Sequence, residues 1–299
     1  MAQNKSFTVQ VFCVIWFNTK SENMSVMKNL STFLFILLFS IAFSQTHRFV
    51  YELQTKKNDK VQKINMTLDI DKDYVHFYDY DFLKNDSLRK KDGGNWQTNT
   101  RSEQLVLRKR NSFENKSFHD NMFDYFVVDS KDEMTWKIKN ETKKSGEYTL
   151  QKAETNFGGR SWEAWFNPGI PFQEGPYKFR GLPGLIFEIR DSKGDYSYSL
   201  VKSTNLPNTF DTSDFLETHF GKKPVPVTLK QFNKVKLDYY NDPVADMRRL
   251  LKGGGTVMIG GEKITSQEQL DQKRIFIQNS IVNNYNPIEL DQAIPYPAK

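Results

Sequence analysis

The feature that most constrains the fold is one short stretch, residues 175–189, in which glycines and prolines run directly into an apolar segment. Glycine permits backbone conformations with positive φ, and proline fixes φ and lacks an N–H donor. Residues 181–184 therefore predict a tight turn, and the apolar residues from Leu185 to Ile189 predict a strand that follows it at once. The residues expected to specify this turn and the start of its strand are Gly175, Pro176, Gly181, Leu182, Pro183, Gly184, Leu185 and Ile186.

On either side of that stretch, apolar and polar side chains alternate with period two, which is typical of strands with one solvated face. In residues 63–70, for example, the apolar side chains occupy every second position. Residues 49–53 and 63–70 predict a hairpin, and residues 148–155 and 160–166 predict another. The pattern indicates about nine or ten strands, and hence a mainly β (α+β) fold. We expect a curled antiparallel sheet or open barrel with C-terminal helices packed on it.

Some segments do not follow this alternation. Residues 81–100 are polar and predict a loop with at most one helical turn, and residues 140–146 predict a turn between strands at 134–138 and 148–155.

Residues 228–285 change to the spacing of helices. Apolar residues from Thr228 to Tyr240 recur near helical spacing, and Asp242-Pro243 predicts the N-terminus of a second helix that ends near Gly253. Ser266 and Gln269 fit a capping box that begins a third helix. Residues 252–261 are glycine-rich and predict a hairpin or flap.

The hexapeptide at 181–186, preceded by Gly175-Pro176, resembles the hallmark of the GLPGLI family, a family of bacterial envelope proteins. The similarity is strong over residues 130–190, where it includes Gly159-Arg160, and extends loosely to residues 286–290. The resemblance implies no reaction and no catalytic residue. Many family members place a cysteine where this chain has Leu150, so the resemblance implies no thiol chemistry here.

The N-terminal region has the features of a secretion signal. Lys28 precedes an apolar run, and Ala42-Phe43-Ser44 forms a small-x-small cleavage site before Gln45. The run of about 14 residues is shorter than the roughly 20 needed to span a bilayer, which favours a cleaved signal peptide at 27–44 over an uncleaved anchor. We expect residues 1–26 to be an extension from an upstream start, and residues 45–299 to form a single domain in the periplasm or secreted. Membrane contact would then occur only through the signal peptide before cleavage.

Composition excludes several classes of function. The single cysteine, Cys13, precedes the predicted mature chain, so we expect no disulfide and no cysteine nucleophile or metal ligand. The formal charge of +6 falls to +4 when Lys5, Lys20, Lys28 and Glu22 are removed, and the remaining surplus is dispersed, which argues against a nucleic-acid partner.

The histidines are scattered, and the glycine-rich run at 252–261 lacks the Lys-Ser/Thr of a phosphate loop. Four acids at 71–81 are expected to be solvated turn residues. We therefore predict no metal and no cofactor.

The candidate site is an aromatic cluster around the glycine- and proline-rich stretch at residues 175–189. Aromatic side chains that cannot all enter one core can line a cavity for a ligand or partner peptide. The alternative is that the same residues belong to the core and brace the turn. The residues predicted to bind a ligand or partner are Arg160, Trp165, Phe172 and Tyr177.

Together these features favour an exported, non-catalytic envelope protein that binds an apolar ligand or a protein partner. One alternative is an envelope hydrolase that uses Asp, Glu or Tyr side chains; another is an accessory component of an outer-membrane transporter. A carrier would show an apolar cavity under the helices, whereas an enzyme would show acids or a histidine converging in a cleft. An accessory protein would show a flat apolar patch.

Overall fold

Strands are the most abundant regular structure, at 43%, as the alternation predicts. The computed structural model describes residues 46–57, 60–94, 96, 98–121 and 124–297. The predicted signal peptide at 27–44 and the extension at 1–26 lie outside the described residues. The strands are β1 Thr46–Lys57, β2 Lys60–Ile70, β3 Tyr74–Asp79, β4 Leu105–Lys109, β5 Glu114–Asn121, β6 Asp124–Lys131, β7 Lys137–Ser145, β8 Tyr148–Phe157, β9 Arg160–Asn167, β10 Leu185–Asp191, β11 Tyr196–Leu206, β12 Val225–Pro226, β13 Val257–Ile259 and β14 Glu262–Ile264.

The described helices are fewer and lie mostly near the C-terminus. They are α1 Tyr80–Asp92, α2 Leu229–Asn241, α3 Ala245–Lys252 and α4 Gln267–Asn284, with a short 3-10 turn at Leu290–Gln292. Among the residues described, none of the helices combines the length and apolar character needed to cross a bilayer.

Twelve strands form one open sheet in the order β12-β6-β5-β4-β3-β2-β1-β11-β10-β9-β8-β7. Strands β1–β6 and β7–β11 are two antiparallel meanders, joined where β1 pairs with β11, as in Thr46 opposite Leu206. Only β12 is parallel to its neighbour, β6. The end strands β12 and β7 do not pair with each other, so the sheet is not closed into a barrel. The predicted mainly β fold with an open antiparallel sheet is confirmed.

One face of the sheet, here called the inner face, carries the main core. Side chains from both meanders meet there around residues 168–184, which we call the plug loop because Tyr177, Phe179 and Leu182 of this loop are buried in that core. Burial of each large apolar side chain contributes about 1.5–3 kcal/mol. The fully buried members include Tyr51, Leu53, Met66, Leu68, Phe166, Phe179, Leu182, Leu185 and Tyr198.

The opposite, outer face of β3–β6 is covered by α1 and by residues 207–217. A second, smaller core forms there, and Tyr125 Oη donates to the carbonyl of Leu216 at 2.7 Å. Its buried members are Tyr78, Phe82, Leu105, Phe118, Tyr125, Val127 and Leu216.

The loop predicted at residues 81–100 is wrong in its first half, where α1 forms. This helix has only one buried apolar side chain, Phe82, so it lacks the apolar stripe that periodicity detects. Its C-terminal cap is Gly93, with φ of 71° and its N–H bonded to the carbonyl of Arg89. Basic residues in its last turn complement the helix dipole.

Two strand predictions near residue 140 also need correction. The chain is irregular at 132–136, so the strand predicted at 134–138 begins only at Lys137. It then continues to Ser145 through the predicted turn at 140–146. As the edge strand, β7 exposes both faces and is rich in polar residues, which gives it the composition of a turn. The described chain also has fourteen strands, more than the nine or ten expected.

The helical part agrees with most of its predicted signals. Thr228 and Ser266 form capping boxes that begin α2 and α4, and β13 and β14 form the predicted glycine-rich hairpin. Asp242 is not the N-cap of α3, because that position is Val244 and the helix begins at Ala245. The Asp242 side chain instead pairs with Arg248 at 2.6 Å. This part has its own small core, centred on Val244, Val257, Ile264 and Leu270.

Candidate functional site

The glycine–proline stretch forms the buried end of the plug loop, and Gly184 is its tightest point. A Cβ atom at Gly184 would lie 2.1 Å from the carbonyl oxygen of Asn167, so only glycine fits where the plug loop crosses the end of β9. Gly181 has φ of 99°, a conformation that favours glycine. Leu182 and Leu185 on either side are fully buried. The predicted turn leading directly into a core strand is confirmed.

Buried polar groups fix the plug loop and the start of β10 to the rest of the sheet. Glu174 receives hydrogen bonds from Arg108 of β4 and, at 3.3 Å, from Arg180 of the plug loop itself. Trp136 donates to the carbonyl of Arg180 at 2.9 Å, and Tyr51 donates to the carbonyl of Ile186 at 2.6 Å. Because buried charges are costly unless paired and hydrogen-bonded, these contacts are what allow a polar loop to lie inside the sheet.

Arg160 connects β9 to the C-terminal tail, residues 285–297. Its guanidinium is buried and bonds Asp191 at 2.9 Å and Asp195 at 2.7 Å. The same group donates to Asn286 Oδ1 at 2.6 Å and to the carbonyls of Pro287 and Ile288 at 2.8 and 3.0 Å. These contacts occupy its donors, so Arg160 acts in this structure as a clamp on the tail.

Tyr177 and Lys178 of the plug loop meet the same tail through Glu289. The Tyr177 hydroxyl donates to Glu289, and Lys178 Nζ lies 2.7 Å from Glu289 Oε1 and 3.3 Å from Asp132 Oδ2. Burial raises the pKa of Tyr177 well above its usual value, with the Glu289 charge adding to the effect, so its hydroxyl remains a proton donor. Arg160 and Tyr177 are therefore brought together indirectly, by two ends of one short tail segment.

The other two predicted site residues lie elsewhere. Trp165 projects to the outer face, where Lys143 Nζ sits 4.5 Å from the ring centre. Phe172 packs against His47 and Phe49, with ring centres 4.7 and 5.7 Å apart. Trp165 and Phe172 thus do not share a surface with Arg160 and Tyr177.

A large cavity with a mainly apolar lining is a groove on the outer face, which the sequence did not suggest. Its floor is a row of facing residues from four neighbouring strands, His76, Leu107, Lys116 and Asp129. Residues 209–217 form the wall, with Phe210 turned inward. The volume is about 1130 Å³, and at strand spacings of 4.7–4.9 Å the four strands extend it over roughly 14 Å. We call this cavity the outer groove.

A buried histidine lies between two carboxylates in the outer groove. His76 Nδ1 is 4.0 Å from Asp71 Oδ2, and His76 Nε2 is 4.0 Å from Glu217 Oε1. Burial lowers the pKa of His76 despite both neighbouring charges, so the ring is neutral at pH 7. Sequence reasoning missed this histidine because β3 was interpreted as apolar on both faces, although Tyr74, His76 and Tyr78 alternate on the outer one.

The acids at 71–81 are not all solvated, contrary to expectation. Asp71 is buried and accepts the backbone N–H groups of Asp73 and Tyr74 at 2.7 and 2.6 Å. Asp79 is also buried, and it accepts from the hydroxyl of Ser102 and the N–H of Arg101. Across the described ranges, no three His, Cys, Asp or Glu side chains are placed to hold a metal ion.

These features define the class of the protein: an open antiparallel sheet with a buried plug loop on one face and a groove on the other. A family model described as a protein of unknown function (Porph_ging) matches residues 158–188, about a tenth of the chain, including the hexapeptide. No curated protein matches the chain.

Solved structures similar to the chain include two of PNGF-II, in space groups C2 and P21. They align with TM-scores of 0.46 and 0.47 at 14% and 15% identity. Each alignment covers 64% of this chain, and 32% and 33% of the respective PNGF-II chains. The chain thus spans about a third of the length of those proteins.

Proposed function

We propose that this protein is an exported, non-catalytic envelope protein of the GLPGLI type, and that its outer groove binds an extended segment of a partner protein. Export rests on the signal-like pattern at 27–44, and family membership rests on the hexapeptide and the segments that resemble the family around it. The single observation that supports binding is the outer groove, which combines apolar surface with a local excess of acids.

Charge favours a basic partner segment. The groove is lined by five acids and three lysines, and this acidic balance contrasts with the positive charge of the whole chain. Its acids are Asp71, Glu114, Asp129, Asp211 and Glu217. Apolar contacts would come from Tyr74, Leu107 and Phe210. A segment in which leucines alternate with lysines matches both properties.

An unpaired strand edge beside the groove favours an extended polypeptide over a small ligand. β12 pairs only with Phe126 and Val127 of β6. Within the described sheet, residues 128–131 of β6 have no partner strand on that side. Asp129 and Lys131 of this segment also line the groove. A partner segment added to this edge would gain main-chain hydrogen bonds while its side chains enter the groove.

The test is fluorescence anisotropy with three labelled peptides of equal length: Lys-Leu repeats, Glu-Leu repeats, and Lys-Leu repeats N-methylated at alternate amides. We expect binding of the first only. Glu217→Gln should weaken it, whereas Glu141→Gln, on the solvated face of β7, should not. Equal binding of all three peptides would contradict edge pairing. Binding of a dansylated fatty acid without peptide binding would replace the proposal with an apolar-ligand carrier.

A hydrolase is the second candidate, because His76 lies between Asp71 and Glu217. The distances of 4.0 Å exceed the 2.6–3.2 Å at which a catalytic base and its orienting acid usually contact, which is why we prefer binding. Hydrolysis of p-nitrophenyl esters that His76→Asn abolishes would support catalysis. Recovery of an outer-membrane transporter after crosslinking at the groove would identify the partner as the transporter considered from sequence.

A further inference from the structure

A second cavity lies under α2 and the C-terminal tail, against the inner face of β5 and β6. We call it the inner cleft; its volume is about 270 Å³. Liquid water occupies roughly 30 Å³ per molecule, so the cleft could hold about nine waters or one small organic molecule. Its lining is rich in titratable groups, which distinguishes it from the apolar cavity that a lipid carrier would show under its helices.

Ser117 is one of the residues that line this cleft, and its hydroxyl has no hydrogen-bond partner among the described residues. The residue is only 7% exposed, and its Oγ atom is buried without a hydrogen-bond partner. A buried polar group in that condition is uncommon and requires an explanation. A ligand that hydrogen-bonds this hydroxyl is a direct explanation, because Ser117 lines the cleft.

His119 lies two residues further along the same face of β5. Its ring stacks on Phe232 of α2, with ring centres 4.3 Å apart. No hydrogen bond to its ring nitrogens is found within the described part of the chain. Burial lowers the pKa of His119 to about 4, so the neutral ring offers one donor and one acceptor. Ser117 and His119 together can bind hydroxyl groups.

Cationic side chains also line the cleft. Lys236 Nζ is 3.6 Å from Glu103 Oε1, longer than a close ion pair, and Glu103 is 65% exposed. Lys57 also lines the cleft. Lys178, in contrast, is already paired with Glu289 and Asp132. Lys236 and Lys57 are therefore the cations placed to receive an anionic group.

We propose that the inner cleft is a binding site for a small hydroxylated carboxylate, such as a sugar acid. Its carboxylate would pair with Lys236, and its hydroxyls would bond Ser117 and His119. The ring of Phe232 and the rings of Tyr177 and Tyr285 would pack against its carbon skeleton. The inner cleft and the outer groove share Asp129 and Ser130 of β6 in their linings, but the residues proposed to bind the ligand line the cleft alone, so this proposal does not depend on the function proposed for the groove.

The test is calorimetric titration of the full chain with D-glucuronate, using D-glucose and acetate as probes that lack the carboxylate or the hydroxyls. We expect glucuronate to bind at least about tenfold more tightly than either. Lys236→Met should remove the preference for glucuronate over glucose. Lys234→Met is the matched control, because Lys234 is an exposed lysine of the same helix paired with Asp238, and it should change nothing.

Ser117→Ala separates a binding role from a structural one. Removing a hydroxyl that has no protein partner should leave the melting temperature of the ligand-free protein unchanged or raised, while weakening glucuronate binding about three- to tenfold. Glu217→Gln in the outer groove should have no effect on this binding. Absence of glucuronate binding in the millimolar range, or equal affinity for glucose and glucuronate, would overturn the proposal.

Discussion

Replacing Gly184 with alanine should be among the most damaging single substitutions in the chain. The added Cβ would lie 2.1 Å from the Asn167 carbonyl oxygen and 2.6 Å from its carbon, both backbone atoms that cannot rotate away. Relief requires the plug loop to move by about 1 Å, because such contacts normally exceed 3 Å. That movement would disturb the pairing of Leu185 with Asn167 and unseat the buried Leu182.

The expected cost can be bounded. Displacing one buried leucine typically costs about 2–5 kcal/mol, and loss of nearby backbone hydrogen bonds, such as Leu185 N–H to the Ile170 carbonyl at 3.2 Å, adds about 1 kcal/mol each. We therefore expect a loss of about 3–6 kcal/mol, a large share of the 5–15 kcal/mol stability of a typical domain.

Gly194→Ala provides the matched control. Gly194 also has positive φ, at 69°, but no atom would lie within 4 Å of its added Cβ. Its replacement should cost only the conformational penalty, about 1–2 kcal/mol. Urea unfolding followed by tryptophan fluorescence measures both variants. If the two lose the same stability to within about 1 kcal/mol, the close contact at Gly184 is not what makes glycine necessary there.

Two further changes test the tail clamp and the inner cleft. Arg160→Met should reduce the free energy of unfolding by about 3–5 kcal/mol, because it leaves Asp191 buried without its cation. Hydrogen exchange at residues 286–290 should then accelerate. The control is Arg190→Met, which removes a 67% exposed partner of Glu163; it should cost less than about 1 kcal/mol and leave exchange unchanged. For His119, the pKa of about 4 in the folded state lies below the usual 6.5. Between these two values the unfolded chain binds one proton more than the folded chain. The stability of the wild type should therefore fall as the pH drops from 6.5 to 4, by on the order of 3 kcal/mol relative to His119→Gln. Asp120 has the opposite effect on stability, because burial raises its pKa to about 6. Since Asp120 is present in both the wild type and His119→Gln, comparing urea unfolding of these two proteins from pH 7 to pH 4 isolates the contribution of His119. If their stabilities change equally with pH, burial does not hold the His119 ring neutral.

The strands could be predicted because their signal is local. Ile64, Met66, Leu68 and Ile70 point to one side by chain geometry alone, so one buried face is enough to reveal β2. The order of strands could not be predicted in the same way. The pairing of Thr46 with Leu206 joins the two meanders, and no property of either residue specifies the other across that length of chain.

The misassigned elements share a physical cause, which is the lack of one continuous buried face. α1 buries only Phe82 and Asp86, so its sequence is nearly uniform in polarity. β7 is an edge strand, where lysine and other polar side chains protect against pairing with other chains. In both, tertiary position rather than periodicity determines the structure.

The sites were harder to predict than the fold, because the roles of their residues depend on missing hydrogen bonds and on neighbours that are distant in the sequence. Ser117 is ordinary in sequence, and its significance comes from a hydroxyl left without a partner. His76 acquires its environment from Glu217, which lies on a distant covering segment. By contrast, Arg160 and Tyr177 were noticed for their chemistry, and their side chains proved to be engaged by the tail.

The segments that carry the family resemblance have a common structural task. Gly159-Arg160, the plug loop and residues 286–290 are far apart in the sequence, yet Arg160 binds the tail at Asn286 and Tyr177 binds it at Glu289. Together they hold the plug loop inside the sheet. None of the residues that line the outer groove falls within the matched span 158–188. The shared stretch therefore accounts for how this fold closes its inner face, whereas the outer groove is formed by β3–β6 and the segment that covers them.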